Sequence, residues 1–396
     1  MGDELAFVLI NPYTIAKSRT GGVIARYIGR TDLNMVAARM FAPSAELAAR
    51  YSRVIHENVK QSDPAMAQLL SDYVAQNYGP DPDTGKPRRV LLMLFEGPDA
   101  IRKIRDVTGS ASLKRGSGET VRDTYGDYIV DRDGSVRYFE PAVLVGRDSE
   151  GVARTLRLWA SYSKSDGGVV DRAFDVPAGE KVEKTLVLLK PDNFKYPSFR
   201  PGTIIDLLSS SGLRIVAVKK FKMTVAQAEE FYGPVRDALR AKFKEFGPRR
   251  CAEALSRELG FSIPEHLWPA LGDLIAPVFA NAQFDNIVQY MTGFRPSECS
   301  EAEKSTLARE GCLALVYDGV DAVQKIRSIV GTTDPHKARP GSVRREFGSD
   351  VMMNAAHASD SVENAEREMR IIRIGEDTIS PIVAKHYGTS QTPATG

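Results

Sequence analysis

The segment NAAHASDS at residues 354–361 places His357 among small side chains, which leaves its imidazole open to approach. The helix expected after this segment brings Glu366 and Glu368 within reach of the ring. The sequence contains five histidines, and no pair of them has the spacing of a metal site. Three of the others lie in sequence typical of surface or packing roles: His56, His266 and His386. His357 is therefore the candidate for a chemically active histidine.

Cations occur upstream of His357 at three separate places. Lys190 follows an apolar run typical of a strand, Arg327 lies in a helical pattern, and Arg344 follows the segment PGSV. Thr332 and Thr333 add hydroxyl groups. Each cation alone is typical of a solvated surface. Beside a histidine, converging cations and hydroxyls suit phosphoryl transfer, because the protein must position and neutralise phosphates.

A long internal repeat organises these residues. TGGVI at 20–24 resembles RPGTI at 200–204, and FEGPDAIRKIR at 95–105 resembles YDGVDAVQKIR at 317–327. The offset between the two copies rises from 180 to 222 residues, so the second copy contains an insertion. Repeats of this length indicate a duplicated domain, since solenoid repeats are much shorter.

The repeat predicts a division of the chain into four parts. These are a first domain at 1–145, a linker at 146–182, a second domain at 183–375 and a C-terminal tail at 376–396. The insertion is expected at about 242–283, and residues 388–396 are expected to be disordered. Residues 154–162 have a strand-like pattern, which predicts a β-hairpin within the linker.

Both copies show the same order of elements. In the second copy, strand patterns at 184–189, 213–218 and 312–317 alternate with helical patterns, and a short fourth strand is expected at 351–355. Ser361 is expected to cap the last helix. The order β-α-β-α-β-α-β-α implies an α+β protein. We expect two ferredoxin-like sandwiches of the split βαβ type, each with a four-stranded, mainly antiparallel sheet.

The composition excludes several classes of protein. Lys plus Arg total 53 against 51 for Asp plus Glu, so no basic field indicates a nucleic acid or an anionic membrane as partner. No apolar run approaches the ~18 residues of a membrane-spanning helix. The three cysteines lack CxxC spacing, and the N-terminal segment MGDE is acidic, unlike a signal peptide. We expect a cytoplasmic protein with reduced thiols.

Taken together, these motifs resemble the nucleoside diphosphate kinase family. NAAHASDSVENAERE at 354–368 is similar to the family's active-site signature, except that Ala358 stands where the family usually has glycine. KPD at 190–192 resembles the motif at the end of its first strand, and residues 327–335 resemble its nucleotide-binding helix and loop. The resemblance covers nearly all of 183–374 and, more weakly, 4–145.

The resemblance implies a ping-pong phosphotransferase. His357 would attack the γ-phosphate of a nucleoside triphosphate such as ATP, and the phosphohistidine would pass the group to a nucleoside diphosphate. Ser359 and Glu368 would orient the imidazole, Mg²⁺ would bridge phosphate oxygens, and Phe284 would stack on the base. Six residues would hold the phosphates and the sugar, the first two of them also serving as catalytic groups: Lys190, Tyr232, Arg327, Thr333, Arg344 and Asn354.

The first copy differs at the decisive positions. Asn11 stands where the second copy has Lys190, and we align Glu140 with His357. A carboxylate at that position adds negative charge beside a triphosphate, so the first copy is expected to be catalytically inactive. Its other site residues remain: Arg105, Arg122 and Tyr51 stand opposite Arg327, Arg344 and Tyr232. Whether the first copy binds nucleotide stays open, and a structural role is preferred.

The sequence leaves the role of the insertion, the assembly and the activity open. The insertion, with a second expansion at 295–309, could form a lid, an oligomer contact or an obstruction. Tandem fusion suggests that the two copies pair as an intrachain pseudo-dimer, and a homo-oligomer is conceivable. The alternative function is a catalytically weak nucleotide-binding or scaffolding protein of the same fold. Transfer from His357 to another protein ranks last.

Overall fold

The structure, a computed structural model, describes residues 3–111, 116–176 and 179–388. The strands are β1 (Glu4–Ile10), β2 (Asn34–Phe41), β3 (Val90–Gly97), β4 (Asp127–Val130), β5 (Val136–Glu140), β6 (Val143–Val145), β7 (Val182–Leu189), β8 (Arg214–Lys222), β9 (Gly311–Val320) and β10 (Ala356–Ala358). The helices are α1 (Pro12–Ala16), α2 (Thr20–Arg30), α3 (Ala45–Val59), α4 (Pro64–Asn77), α5 (Ala100–Thr108), α6 (Val121–Tyr125), α7 (Ser149–Ser161), α8 (Arg200–Ser209), α9 (Val225–Leu259), α10 (Trp268–Thr292), α11 (Glu301–Lys304), α12 (Ala322–Val330), α13 (Val343–Phe347), α14 (Val362–Ile371) and α15 (Ile379–Tyr387).

The two copies share one eight-stranded sheet. Its order is β10-β7-β9-β8-β2-β3-β1-β6, so each copy contributes four strands in equivalent order. The pairs β1–β3, β1–β6, β7–β9 and β7–β10 are antiparallel. In the first copy α5 and α7 contact β1, and in the second α12 and α14 contact β7. The α+β, ferredoxin-like architecture predicted from the order of elements is confirmed.

The copies meet at β2 and β8. Arg39 of β2 pairs with Lys219 of β8 in the antiparallel register. The helices that precede these strands, α2 and α8, also pack together, and they do so through glycines. A Cβ atom on Gly21 would lie 2.5 Å from the carbonyl oxygen of Gly202, and one on Gly202 would lie 2.3 Å from that of Gly21. The predicted intrachain pseudo-dimer is therefore present, built from equivalent elements of each copy.

Two buried cations anchor chain segments at this junction. The Arg39 guanidinium donates to the carbonyl oxygens of Ser163 and Gly167, and also to those of residues 375 and 376. Lys219 Nζ donates to the carbonyl oxygens of residues 372 and 373 and to Glu376 Oε2 at 2.8 Å. Because the cost of burying each cation is offset by several hydrogen bonds, the segments after α7 and α14 are fixed against the centre of the sheet.

Three predictions about local structure were wrong. The strand-like run at 154–162 lies in helix α7, because Val152, Leu156 and Trp159 recur at helical spacing and Asp148 caps its first turn through the Gly151 N–H. The predicted tail contains helix α15. The short fourth strand of the second copy is β10, which begins after the expected range of 351–355. Residues 389–396 lie outside the described residues.

Helix α7 also moves the boundary of the first copy. It follows β6 as α14 follows β10, with Asp148 in the place of the predicted cap Ser361, whose side chain accepts from Asn364 N–H. The first copy therefore ends with α7 and not at residue 145. The hairpin predicted for the linker is absent from its described residues; the β4–β5 hairpin precedes the linker.

A second compact unit comprises residues 222–311 and contains the predicted insertion. Helix α9 is 35 residues long and continues through Pro248, where the sequence suggests two separate helices. It packs on α10, where the rings of Phe243 and Phe279 stack at 4.6 Å and Pro248 lies against Gly272. A capping box formed by Thr224 and Gln227 caps the first turn of α9. None of the described helices is long and apolar enough to cross a membrane.

Candidate active site

Strand β10 presents His357 near the end of the sheet. His357 pairs with Leu188 of β7, and its ring is about one-fifth exposed. The strand is entered through Ala355, which is fully buried and has a φ of 69°. A left-handed backbone is costly for alanine, by about 1–2 kcal/mol. The Ala355 carbonyl offsets part of this cost, since it accepts from Lys190 N–H at 3.0 Å and Asn193 Nδ2 at 2.7 Å.

A buried carboxylate orients the imidazole. Glu368 Oε2 lies 2.9 Å from His357 Nε2 and accepts a second hydrogen bond from Ser359 Oγ at 2.6 Å. Because both contacts converge on one acceptor oxygen, the proton of a neutral imidazole belongs on Nε2. The nucleophilic lone pair then belongs to Nδ1. Helix α14 supplies Glu368 and the sheet edge supplies the other two groups, so the fold joins three residues that the sequence had predicted to act together.

Lys190 is buried at the end of β7, 8% exposed. Its Nζ donates to Asn354 Oδ1 at 2.7 Å and to the Met352 carbonyl at 3.1 Å. Burial, followed by the nearby Arg344 guanidinium, lowers the pKa of Lys190 to about 8. Asn354 Nδ2 donates in turn to the carbonyl oxygen of Thr333 at 3.0 Å. Three predicted phosphate-site residues are thereby linked directly.

Arg344 fastens β10 to the helix beside it. Its Nε and Nη2 donate to the Ala356 carbonyl at 3.2 and 3.0 Å, and its Nη1 donates to the Gly331 carbonyl at 2.9 Å. The guanidinium therefore sits between the strand that carries His357 and the end of α12. Arg327, on α12, and the side chain of Thr333 are exposed. They lie on the elements that Arg344 and Asn354 hold in place.

Asn193 is a site residue that the sequence motifs did not single out. Besides its bond to Ala355, its Nδ2 donates to the Lys190 carbonyl at 3.0 Å, so one amide fixes both the strand end and the kink before His357. The neighbouring Asp192 forms a 2.7 Å ion pair with Arg200. The available signal was the position of Asn193 just after Lys-Pro-Asp, in a turn where amide side chains commonly bond the backbone.

Tyr232 and Phe284 lie in the second compact unit. Tyr232 is buried on α9, where its ring packs 4.9 Å from that of Phe231. Phe284 is fully buried on α10, and the Arg236 guanidinium lies over its ring at 4.0 Å. One face of the Phe284 ring is thus covered by a side chain of its own unit. Base stacking by Phe284 and phosphate contact by Tyr232 remain predictions.

The register of the sheet corrects one alignment. Ile10 pairs with Val143 in the first copy as Leu189 pairs with Ala356 in the second. Leu144, one position further along β6, is therefore the counterpart of His357, and Glu140 is not. The kink before the strand is also repeated, with a φ of 61° at Ala142. The alignment with Glu140 was wrong because the edge strand has only three residues, too few for a sequence pattern to fix its register.

The remaining groups around His357 are also replaced in the first copy. Gly146 stands opposite Ser359 and Thr155 opposite Glu368, by their positions relative to the matched caps of α7 and α14. A Cβ on Gly146 would lie 2.1 Å from Val152, so the packing leaves no room for a side chain at the position of Ser359. The bonding of Arg344 is retained, since Arg122 donates to the carbonyl oxygens of Gly109 and Val143.

Glu140 belongs to a separate buried network. It accepts from Asn11 Nδ2 at 2.9 Å, from the Ala142 N–H at 2.9 Å and from the Tyr73 hydroxyl at 2.5 Å. Tyr78 donates to Asn11 Oδ1 at 2.7 Å. Burial raises the pKa of Glu140, despite these hydrogen bonds to its carboxylate. Both ends of the amide of Asn11, the counterpart of Lys190, are therefore hydrogen-bonded within this buried network.

A cavity of about 410 Å³ remains in the first copy at the corresponding place. It is lined by Leu144, by the retained arginines Arg105 and Arg122, and by apolar side chains such as Ile55 and Leu70. The first copy therefore has a cavity and two cations at this place but lacks the counterparts of His357, Ser359 and Glu368.

These observations define the class of protein: a duplicated ferredoxin-like α+β protein in which a carboxylate-oriented histidine adjoins a buried lysine, an asparagine and an arginine. The chain belongs to the nucleoside diphosphate kinase family, whose model matches residues 4–133, 183–246 and 300–376. The match spans both copies and omits most of the insertion. The family predicted from the sequence motifs is thereby confirmed.

Individual relatives match about half of the chain. The nucleoside diphosphate kinase of Campylobacter hominis is 29% identical over 196 residues, which cover 50% of this chain and 98% of that protein. The Helicobacter pylori enzyme of the same name is 27% identical over 195 residues, 49% of this chain and 98% of its own. Among solved structures, a kinase from Pyrobaculum aerophilum is 29% identical and covers 48% of this chain and 95% of its own, with a TM-score of 0.33.

Proposed function

We propose that the protein is a nucleoside diphosphate kinase that works through a phosphorylated His357. The observation that carries the proposal is the contact of His357 Nε2 with Glu368 at 2.9 Å, beside the buried Lys190–Asn354 pair. A neutral imidazole whose proton is held on Nε2 carries its nucleophilic lone pair on Nδ1, and the adjoining cation suits a polyphosphate.

In the first half-reaction, Nδ1 would attack the γ-phosphorus of a triphosphate such as ATP. The new bond joins phosphorus to Nδ1, and the bond to the oxygen shared with the β-phosphate breaks, so that the diphosphate leaves. Glu368 stabilises the positive charge that the ring acquires, and Ser359 fixes the carboxylate. A second diphosphate would reverse these steps and collect the phosphoryl group.

Charge on the phosphates would be met mainly by side chains of the second copy. Lys190 directly follows β7, Arg344 lies on α13, and Arg327 and Thr333 belong to α12 and the loop after it. The described residues contain no group of three acidic, histidine or cysteine side chains suited to a metal. We propose that Mg²⁺ would be held by the phosphate oxygens of the nucleotide, where it would neutralise their charge. Base stacking on Phe284 and a phosphate contact from Tyr232 are proposed from the family resemblance alone, since Phe284 is fully buried with Arg236 over its ring.

A coupled assay of phosphate transfer from ATP to GDP tests the proposal directly. The wild-type protein should turn over with Mg²⁺ and should give an acid-labile phosphoprotein with γ-labelled ATP. His357→Ala should lose both signals. The matched control is His266→Ala, which removes a histidine of the second unit and should keep both. Wild-type protein that is stabilised by nucleotide but gives neither label nor turnover would favour the alternative, a nucleotide-binding or scaffolding protein. We also propose a cytoplasmic location, because the three cysteines lack the spacing of a disulfide or metal motif.

A further inference from the structure

A second polar cavity lies where the two copies meet, at the start of α2 and the end of α8. Its volume is about 50 Å³, against the roughly 10–15 Å³ that one water requires. The first copy contributes Thr20, Ser18 and Arg89, and the second copy contributes Arg214 and Tyr317. The cavity is large enough for one small polyatomic ion and far too small for a nucleotide.

Two fully buried hydroxyl groups line this cavity without a hydrogen-bond partner. Thr20 is 2% exposed and Tyr317 is 0% exposed, and neither Thr20 Oγ1 nor the Tyr317 hydroxyl is bonded within the described residues. Leaving a buried hydroxyl without a hydrogen-bond partner is unfavourable, because the group has lost its bonds to water. Burial raises the pKa of Tyr317, so its hydroxyl stays protonated and can donate. Both groups therefore call for an acceptor inside the cavity.

Two arginines meet at the same cavity without a carboxylate between them. Arg89 Nη1 donates to the Ile215 carbonyl at 2.6 Å, while the Arg214 guanidinium lies 5.2 Å from the ring of Phe174. No ion pair is formed by either arginine among residues 3–111, 116–176 and 179–388. Burial, followed by the like charge of Arg214, lowers the pKa of Arg89 to about 10. The net field in the cavity is positive.

The helix ends around the cavity do not reverse this field. The eleven-residue helix α2 begins at Thr20, so its unsatisfied N–H groups add positive partial charge. At the end of α8, the carbonyl oxygens of 207–209 already accept from the N–H groups of 210–212. Asp206 on α8 is exposed and is not part of the lining. An anion is therefore favoured over a cation.

The features of this cavity are specific to one side of the pseudo-dimer. The repeat offsets place Asn34 opposite Arg214, Phe95 opposite Tyr317 and Gly311 opposite Arg89. The positions equivalent to Arg89, Arg214 and Tyr317 thus carry neither a guanidinium group nor a phenol, and Arg200 stands where the first copy has Thr20. The duplicated fold forms with other residues at the equivalent positions. The fold therefore does not by itself require Arg89, Arg214 and Tyr317 at this cavity.

We propose that this cavity binds one small tetrahedral oxyanion with the size and charge of inorganic phosphate. The hydroxyls of Thr20 and Tyr317 would donate to it, and Arg89 and Arg214 would balance its charge. The site is separate from His357 and does not depend on the proposed function. Bound anion would tie the first copy to the second, so the pseudo-dimer junction would become more stable as phosphate concentration rises.

Calorimetric titration of the full chain with potassium phosphate, against potassium chloride at equal ionic strength, tests this site. Tyr317→Phe and Thr20→Val each remove one hydroxyl with little change in volume, and Arg214→Gln removes an exposed charge. Each variant should bind phosphate at this site roughly tenfold or more weakly, since each loses a hydrogen bond or ion pair to a charged group. Arg137→Gln, on the β4–β5 hairpin, is the control for net charge and should bind like the wild type.

Phosphate binding near His357 would be common to all these proteins and cancels in the comparison. Equal affinity and equal stoichiometry in the wild type, Tyr317→Phe and Arg214→Gln would overturn the proposal. So would thermal unfolding in which phosphate stabilises all of them to the same extent. The exposed position of Arg214 keeps the test valid if a core variant fails to fold.

Discussion

Leu144 and His357 occupy the same position in two equivalent strands. Leu144 pairs with Leu9 of β1, and His357 pairs with Leu188 of β7, each one residue beyond the carbonyl that accepts from the equivalent arginine. The duplication has thus kept the backbone of the site in both copies and the chemical groups in one. In the first copy an aliphatic side chain stands at the position of His357. Leucine has no lone pair that could attack a phosphate, whereas a carboxylate at least carries oxygen atoms.

The first prediction is one phosphoryl group per chain. Incubation with ATP and Mg²⁺ should add a single phosphoryl mass to the intact protein, because Leu144 stands in the first copy where the second copy has His357. Intact-mass spectrometry at neutral pH measures the stoichiometry. Leu144→His should not raise it, because Gly146 and Thr155 cannot orient the new ring. Two phosphoryl groups on the wild type would contradict the assignment of Leu144.

The second prediction concerns the identity of the phosphorylated nitrogen. Because Glu368 holds the proton on Nε2, phosphate should appear on Nδ1, which phosphorus NMR distinguishes from Nε2. Glu368→Gln should keep most of the packing but lose the charge that stabilises the cationic ring. We expect kcat to fall about 10–100-fold, the value of a charged hydrogen bond. Ser359→Ala should have a smaller effect, and an unchanged kcat in Glu368→Gln would argue against this role.

The third prediction follows from the lowered pKa of Lys190. The charged form binds phosphates, so kcat/KM should decline as pH rises above about 8. Lys190→Arg should lack this decline, because a guanidinium stays protonated. A decline at the same pH in Lys190→Arg would assign it to another group. The folded-state pKa lies below the unfolded value of 10.5, so unfolding takes up a proton between these values and Lys190 makes stability rise with pH across that window.

The fourth prediction concerns Glu140. Its pKa is raised in the folded protein, so its contribution to stability is fully present below the unfolded pKa of 4.5 and is lost as pH rises through the folded value. Glu140→Gln removes the titration and should gain stability relative to the wild type as pH increases. Urea unfolding at pH 5 and about pH 8 compares the two proteins. A difference that is independent of pH would show that the pKa of Glu140 is not raised in the folded protein.

The fifth prediction tests the junction of the copies. Gly21→Ala would place a Cβ 2.6 Å from the backbone nitrogen of Asp206, and neither backbone can yield without separating α2 from α8. We expect a loss of about 3 kcal/mol in the free energy of unfolding, at the upper end for overpacking. Gly375→Ala is the control, because nothing lies within 4 Å of its Cβ. Denaturant unfolding of both variants provides the measurement, and equal stabilities would refute close packing at the junction.

Much of the candidate site was predictable because its residues lie in short motifs. His357, Ser359 and Glu368 fall within twelve residues, and strand and helix geometry bring them together almost automatically. Asn193 was not singled out, because its position after Lys-Pro-Asp indicates a turn but not its bond to the carbonyl of the distant Ala355. Helix α7 was mistaken for a strand because a short amphipathic run can satisfy both periodicities until its packing partner is known.

The sequence by itself determined the duplication and the α+β class and singled out His357 as the candidate nucleophile, because each depends on local order or on residues adjacent in the chain. Only the tertiary structure decided that the copies share one sheet through β2 and β8. It also decided that Leu144, not Glu140, replaces His357. The physical reason is that strand register and helix contact depend on backbone hydrogen bonds and on close approach between distant segments. Side-chain pattern alone does not encode either.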